Sequence, residues 1–433
     1  MPGSTASATA MPGLPAAERA TLKRSLRRTE RQKRLGAFLL TLPLLAYILL
    51  LFVIPLGGMV WLSFANPTLP AQMPRTVAVL RHWQQPQEQP QGQPGALPPE
   101  AAYAAVAADL RAAFHAHTFG RIAKRLNEEL PGAFGLINKT TFRTAHLPPT
   151  ASWKKVLERI DPAWSEPAFW RLLKRESAPV TADFYLAALD LQYGPNGHIE
   201  RVPAYERIHL LLFFRTAWMS ALITLLTLVL GYPLAYWISR MKERRANIVI
   251  IAVLLPFWTS LLVRIVAWIV LLQSHGVVNS VLIAAHLVPA SSPPKLIYDG
   301  FGTIIVMTQV LLPFTVLPLY SVMRGIPDSY VRAAVSLGAH PWRAFWKVFA
   351  PLSLPGVGAG VLLVFILAIG YYITPALVGG QSGQFISNRI AFNVQESLNW
   401  GLAAALGTIL TGVTLVLFVI YNRIIGIGRI SLG

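Results

Sequence analysis

Side chains able to do covalent or metal chemistry are sparse in this sequence. The chain has no cysteine, which excludes a disulfide framework, a cysteine metal site and thiol chemistry. It also has no GxxxxGK(S/T) loop to hold the phosphates of ATP. His115 and His117 stand two residues apart, which puts the two rings on different faces of a helix, and we interpret them as surface residues. The sequence therefore predicts a chain that is no enzyme and has no cofactor or metal of its own.

Arg264 is a charge deep inside an apolar stretch. A charge at that depth is costly unless it faces protein or water, which makes Arg264 a candidate for a translocation path. The alternative is a structural role, in which Arg264 bonds carbonyls freed near Pro256. The residues alone leave both interpretations open.

Three aromatic residues near the same stretches could also line a path, because an aromatic face attracts an organic cation. They are Trp258, Tyr232 and Tyr236. Helix packing or a place at the membrane interface explains such residues equally simply. No Asp or Glu lies in the interior of the apolar stretches, which argues against an ion-coupled carrier that uses buried carboxylates.

The composition indicates where these residues must lie. Of the 433 residues 54% are hydrophobic, and the mean hydropathy is +0.49, which is too apolar for an ordinary soluble protein. Six stretches are long enough to cross a bilayer. We predict an all-α polytopic membrane protein whose transmembrane helices lie at residues 35–64, 208–238, 247–273, 300–322, 354–374 and 401–423.

The basic residues orient these helices. The segments 1–35, 239–247, 323–354 and 423–433 together carry 18 Lys and Arg against 4 Asp and Glu, which places them on the cytoplasmic side. The sequence thus predicts an inner-membrane protein with cytoplasmic tails at 1–34 and 426–433. A net charge of +19 distributed in this way indicates contact with membrane lipid and not binding of nucleic acid.

Residues 65–207 form a polar insert between the first and second apolar stretches. It opens with a Gln- and Pro-rich run at 84–100 that is typical of an extended linker. The helical patterns that follow are at 99–117, 118–130, 152–160, 164–175 and 181–192. We therefore predict a mostly helical periplasmic insert, followed by a core at 208–425 with five transmembrane helices.

The segment 326–355, which we call the elbow, has two amphipathic patterns. Apolar residues at helical spacing are Tyr330, Ala333, Ala334 and Leu337, then Trp342, Phe345, Trp346 and Phe349. Asp328 or Ser329 can cap the first helix, Gly338 can end it in a left-handed turn, and Pro341 suits the start of the second. The pattern predicts two short cytoplasmic helices that form either a docking surface or a pair lying on lipid headgroups.

The elbow resembles the coupling loop of ABC importer permeases. The resemblance extends through GYPLAYWI (231–238), PFWTSLLVRIVAW (256–268), GVVNS (276–280), LLPFTVLPLY (311–320) and TPALVGG (374–380), which are similar to the spermidine/putrescine-type permeases, specifically the first of their two unlike subunits. It covers about residues 206–425 and the first apolar stretch, but not the insert. The family pattern has a Glu where this chain has Arg332.

The resemblance implies the fold of an ABC importer permease with six transmembrane helices. It implies ATPase-coupling residues in the elbow, namely Arg332, Ala333, Ala334, Gly338, Ala339, Trp342 and Phe345, and a candidate outer gate at Pro375, Gly379 and Gly380. Implied partners are a second permease subunit, a cytoplasmic ATPase dimer that binds ATP and Mg, and a periplasmic solute-binding protein. Two alternatives stay open: an ion-coupled carrier or channel, and a membrane-anchored scaffold that acts through the insert.

Overall fold

The computed structural model describes residue 33 and residues 36–83, 97–148, 152–194 and 197–425. The predicted tail at 426–433, nearly all of the tail at 1–34 and most of the linker at 84–100 lie outside the described residues. The chain divides into two units, Met1–Trp61 and Leu62–Gly433. Each is described by itself.

The first unit contains the first candidate membrane span, a helix at Gly36–Leu62 with no Asp, Glu, Lys or Arg. A π-helical turn at Leu49–Val53 interrupts it before the α-helix Ile54–Leu62. Pro55 follows this turn, and the wider π-turn accommodates a residue that cannot donate to the helical ladder.

In the second unit the insert is mostly helical. Its helices are Thr68–Gln72, Pro74–His82, Glu100–His115, Phe119–Glu129, Ala133–Ala145, Trp153–Ile160, the 3-10 turn Pro162–Ser165, Pro167–Glu176 and Asp183–Ala188. An antiparallel pair of strands, Leu191–Tyr193 and Ile199–Arg201, closes it. The sequence missed Thr68–Gln72, Pro74–His82 and Ala133–Ala145, and it was wrong to extend a helix to 192. The threonines and glycine of Ala133–Ala145 weaken its helical pattern.

The insert has its own aromatic core. Trp164, Trp170 and Tyr103 are completely buried. The indole N–H of Trp170 donates to the carbonyl of Trp164 at 2.9 Å, and the indole N–H of Trp164 donates to Thr140 Oγ1 at 3.0 Å. The large rings therefore leave no indole N–H unpaired in this core, as burial of such groups requires.

Five further candidate spans follow the insert, which gives the six that were predicted. We call them the second to the sixth span: His209–Ser239, Leu261–Ala284, Gly300–Arg324, Pro341–Ile369 and Trp400–Arg423. The remaining helices of the core are Glu243–Leu254, the 3-10 turn Leu255–Trp258, Asp328–Ser336, Ile373–Val378 and Ile386–Gln395. The helix that contains the sixth span runs over Trp400–Ile425.

The third span differs from the prediction of one helix at 247–273. The helix Glu243–Leu254 ends in the 3-10 turn Leu255–Trp258, and a new helix, Leu261–Leu272, begins after Ser260. Pro256 lacks a backbone N–H and lies at the break, which is the physical reason for it. The span is completed by a second short helix, Val277–Ala284.

Small residues bring the second, fourth and fifth spans close together. Gly356 and Gly360 form a GxxxG pair on the fifth span, and a Cβ added at either would lie 3.2 Å from a carbonyl oxygen of the fourth span, that of Pro318 or Thr315. A Cβ at Gly231 of the second span would meet Thr315 Cγ2 at 3.3 Å. Backbones approach closely at such positions, and transmembrane helices associate through them.

The insert rests on the N-terminal ends of the second and sixth spans. Asp190 accepts hydrogen bonds from the backbone N–H groups of Ile208, His209 and Leu210 at 3.3, 3.1 and 2.9 Å, and so caps the second span. Phe184 fits against Gly401, where an added Cβ would overlap its ring. The insert and the core thus share one packed interface in this unit.

A buried ion cluster holds the insert together behind this interface. Arg125 pairs with Glu176 at 2.9 Å and with Glu129 at 3.1 Å, while Arg175 pairs with Asp183 at 3.1 Å. The Arg125 guanidinium also lies 4.6 Å from the centre of the Phe184 ring. Three of the carboxylates are close enough to share a cation, but the two arginines already supply positive charge there. Burial raises the pKa of Glu176 to about 8.

The raised pKa of Glu176 predicts that the insert loses stability as the pH rises. The unfolded chain loses the Glu176 proton near pH 4.5, whereas the folded chain keeps it up to about pH 8. The unfolded state therefore binds fewer protons between these values, and folding becomes less favourable across the window. We expect Glu176→Gln to remove this contribution, so that the stability of the variant relative to the wild type rises from pH 5 to pH 8.

Hydrogen exchange of residues 100–188, compared between variant and wild type at each pH in the full chain, measures this difference because the intrinsic pH effect cancels. Glu166→Gln, at an exposed carboxylate, is the matched control and should show no trend. If both variants gained stability relative to the wild type as the pH rose, or if Glu176→Gln gained none, the pH dependence would not belong to Glu176.

The contact of Phe184 with Gly401 predicts a strong coupling between the two positions. Gly401→Ala forces the Phe184 ring to move, and Phe184→Ala removes a buried aromatic side chain at a cost of about 3–5 kcal/mol. In the double variant the added methyl group has room, so we expect Gly401→Ala to cost less there than in the wild type. Thermal unfolding of the four proteins measures the coupling, and additive effects would show that the two residues do not touch.

Candidate functional site

The elbow begins after the fourth span with the helix Asp328–Ser336. It turns at Gly338, whose φ of +91° lies in the left-handed region. The N–H of Gly338 donates to the carbonyl of Val335 at 2.9 Å, and that of Ala339 to Ala334 at 3.1 Å. These bonds close the end of the helix in the way that a left-handed cap does, and the turn lies where the sequence predicted it.

The second half of the elbow differs from the prediction of a short separate helix. His340 accepts the N–H of Trp342 at 3.3 Å, and Pro341 occupies the first turn, as its fixed φ favours. The helix then continues through a π-helical turn, Phe345–Phe349, directly into the fifth span. No glycine interrupts this segment, and Pro351 is tolerated where the π-turn meets the next helix. The second half of the elbow is therefore the N-terminal end of the fifth span.

Arg240 fixes the elbow to the end of the second span. Its guanidinium pairs with the carboxylate of Asp328 and lies over the rings of Tyr236 and Phe349, at 5.3 and 4.7 Å from their centres. Asp328 was predicted as a helix cap, but the N-cap residue is Pro327 and makes no side-chain cap bond. From the other side Arg324 donates to the carbonyls of Ser239 and Met241 at 3.0 and 2.9 Å. Together these contacts join the second span, the fourth span and the elbow.

Aromatic rings extend this junction along the second span. Phe345 lies 5.3 Å from Tyr236 and 6.3 Å from Tyr232, both in edge-to-face arrangements. The hydroxyl groups of Tyr232 and Ser353 are 2.9 Å apart. The structure thus places both tyrosines against the elbow and the fifth span, and their role in a translocation path stays a prediction.

The other face of the elbow is exposed and apolar. Leu337 is 90% exposed and Trp342 65%, and Trp346 lies beside Trp342 with 5.8 Å between ring centres. Arg332 and Ala333 are exposed on the first helix, while Ala334 and Ala339 are half-buried. Exposed apolar groups that lie together in this way mark a surface for another protein or for the membrane interface. The predicted coupling residues Gly338 and Trp342 lie on this face, whereas Phe345 points back to the junction.

Arg264 lies in the third span and Trp258 in the 3-10 turn before it, and neither belongs to this junction. Trp258 ends the 3-10 turn and is 87% exposed. Arg264 is half-buried in the first turn of Leu261–Leu272, and its Nε has no hydrogen-bond partner among the described residues. The guanidinium is near enough to Tyr371 to interact with it electrostatically. A broken backbone at membrane depth needs protein or water beside it, which is consistent with either role proposed for Arg264.

The candidate outer gate is a tightly packed turn. Pro375 and Gly379 are buried, and the N–H of Gly379 donates to the carbonyl of Pro375 at 3.0 Å. Gly380 has a φ of +49°, and a Cβ there would overlap the carbonyl of Tyr298. Both glycines are required by close approach, and a gating role stays a prediction.

Sequence reasoning missed Arg240 and Phe349 as parts of the junction. Arg240 is one of several basic residues in a loop, and Phe349 is one member of an apolar pattern. The available signal was the Asp328 carboxylate, which can pair with a basic residue, but many arginines and lysines offered such a pair.

Comparisons with known proteins identify the core. Residues 228–426 match the family model described as "Binding-protein-dependent transport system inner membrane component". The spermidine/putrescine transport system permease protein PotB of Haemophilus influenzae is 34% identical over 205 residues, which cover 47% of this chain and 71% of PotB. The inner membrane ABC transporter permease protein YdcU of Escherichia coli is 32% identical and covers 45% of this chain and 65% of YdcU.

A solved bacterial alginate ABC transporter, in complex with an alginate pentasaccharide-bound periplasmic protein, superposes with a TM-score of 0.40 at 18% identity, over 50% of this chain and 78% of that one. No functional conclusion follows from a likeness at that level. The match to PotB and to the family model confirms the predicted resemblance, and it favours a permease over the ion-coupled carrier and the scaffold. The chain therefore belongs to the family of inner membrane components of binding-protein-dependent transport systems, the permease subunits of ABC transporters.

Proposed function

We propose that this chain forms part of the path for a small organic amine, a polyamine or a similar solute, in an ATP-driven importer. Its similarity to PotB supports the amine class. In this proposal a second permease subunit completes the path, a periplasmic binding protein delivers the solute, and a separate ATPase dimer supplies ATP and Mg chemistry. The insert lies in the periplasm, and both termini are cytoplasmic.

The elbow carries the proposal. An apolar surface formed by Leu337, Trp342 and Trp346 would dock on the ATPase. Four basic residues keep this region on the cytoplasmic side, namely Arg324, Arg332, Arg343 and Lys347. The family pattern has an acidic residue where this chain has Arg332. An ATPase partner of this chain would therefore present a different charge to that position.

Transmission of the movement follows from the junction. Because the second half of the elbow is continuous with the fifth span, a push on the exposed face acts on that span along its axis. Arg240 and the ring of Tyr236 pass the same push to the second span. Closure of the ATPase dimer would in this way move two spans together, and the chain itself performs no chemical step.

Gly338→Asp tests the docking surface. It places a charge and a Cβ at the left-handed turn, where no atom lies within 4 Å of an added Cβ. We expect the variant to insert normally, to lose most uptake of labelled putrescine or spermidine in cells, and to recover less ATPase in a mild-detergent pull-down. Gly338→Asn is the matched control, because asparagine tolerates this backbone conformation without charge.

If Gly338→Asp retained wild-type uptake and ATPase recovery, the elbow would not be the docking surface. Recovery of neither an ATPase nor a second permease with the wild-type chain, even after crosslinking, would count against the importer.

Arg240→Gln tests transmission separately from docking. The change removes the ion pair with Asp328 and the cation–π contacts, but leaves the exposed face of the elbow intact. We expect the ATPase to be recovered at the wild-type level while uptake falls severalfold. Lys242→Gln, at an exposed neighbouring residue, should have no effect, and equal uptake by both variants would show that the junction does not transmit force.

A further inference from the structure

A cavity of about 420 Å³ lies where the insert meets the core. The insert contributes carboxylates from the helices Phe119–Glu129 and Asp183–Ala188, and the core contributes His209 and Arg389. The family match at 228–426 leaves the insert outside it. The cavity is also distinct from the third span and the elbow, to which the proposed path and coupling belong.

One part of the cavity wall is acidic. It is lined by Glu128, Glu129 and Asp183, but each of these carboxylates already forms an ion pair with Arg125 or Arg175. Glu206 also lines it, and its exposed carboxylate has no ion pair or hydrogen bond within the described ranges. Glu206 is therefore free to accept hydrogen bonds from a cation.

Another part of the wall is basic and has no counter-charge. Arg389 makes no ion pair with any described carboxylate, and its buried Nε has no hydrogen-bond partner there. Burial lowers the pKa of Arg389 from its ordinary value, as expected for a positive charge without compensation. Its only close aromatic neighbour in the described core is Phe392, 4.8 Å from the guanidinium carbon.

His209 supplies the second unpaired group of this wall. Its side chain is about nine-tenths buried, and its Nδ1 lies 3.1 Å from the Asp190 carboxylate. A carboxylate only accepts, so Nδ1 carries the hydrogen and Nε2 of the neutral ring is an acceptor. Nε2 makes no hydrogen bond of normal geometry among the described residues, although the Ala187 carbonyl lies near the ring. A buried polar atom in this state calls for a ligand or water.

We propose that this cavity binds a small zwitterion that carries one ammonium and one carboxylate group. The ammonium donates to Glu206 and to Nε2 of His209, and the carboxylate pairs with the Arg389 guanidinium. A dication would leave Arg389 uncompensated, and a simple anion would face the five carboxylates that line the cavity. Because insert and core both supply contacts, such a ligand strengthens their interface. The site does not depend on the proposed function, since binding requires no ATPase or transport.

Calorimetry on the full chain in lipid nanodiscs tests the site with three probes of similar length: 4-aminobutyrate, putrescine and butyrate. We expect saturable binding of 4-aminobutyrate only. Glu206→Gln and Arg389→Gln should each weaken it about tenfold or more, as loss of a charge-assisted hydrogen bond does. Arg143→Gln, at an exposed arginine of the insert, should leave it unchanged.

Equal or tighter binding of putrescine, unaffected by Arg389→Gln, would overturn the zwitterion in favour of a cation site. No saturable binding of 4-aminobutyrate would overturn the proposal and leave water as the occupant. If Arg389→Gln did not fold, the affinity of Glu206→Gln for 4-aminobutyrate would decide the test, because an exposed carboxylate is not needed for folding. If the wild-type chain bound 4-aminobutyrate but supported no uptake of labelled putrescine or spermidine, the proposed function would fail and this site would stand.

Discussion

The elbow can act on the membrane helices only if it is fixed to them, and Arg240 makes that attachment. Its guanidinium satisfies the Asp328 carboxylate at the start of the elbow and covers Phe349 at the point where the elbow becomes the fifth span. The same group lies over Tyr236 of the second span. Arginine suits this position because a planar cation can stack on rings and pair with a carboxylate at once. The two halves of the elbow and the second span are held by one side chain.

Close helix packing joins the second, fourth and fifth spans of the core. Gly356 and Gly360 let the fifth span approach backbone carbonyls of the fourth, and Gly231 lets the second span approach Thr315. Larger side chains would hold these helices apart and let them slide. In the proposed mechanism the second, fourth and fifth spans would therefore respond to the elbow together. The third span is different, because its break at Pro256 separates Leu261–Leu272 from the helix before it.

At the opposite end of the core the insert engages two of the spans. Asp190 caps the second span, and Phe184 occupies the space that Gly401 leaves on the sixth. The Arg125 cluster lies directly behind Phe184, so the electrostatics of the insert and the packing at the core are coupled. An insert held in this way would restrain the ends of these spans opposite to those that the elbow is proposed to move. Its cavity lies within the same interface.

Composition and pattern determined much of this protein. Six apolar helices, a helical insert and the left-handed turn at Gly338 follow from hydropathy, periodicity and glycine chemistry, which are local properties. Tertiary structure decided the rest. Phe345–Phe349 joins the elbow to the fifth span as a π-turn before Pro351, whereas periodicity alone predicted a separate short helix. Asp328 pairs with Arg240 instead of capping, and Asp190 caps a helix that begins nineteen residues later, because such partners are chosen by folding and not by spacing. Arg389 and His209 became a candidate site only when the insert was placed over them.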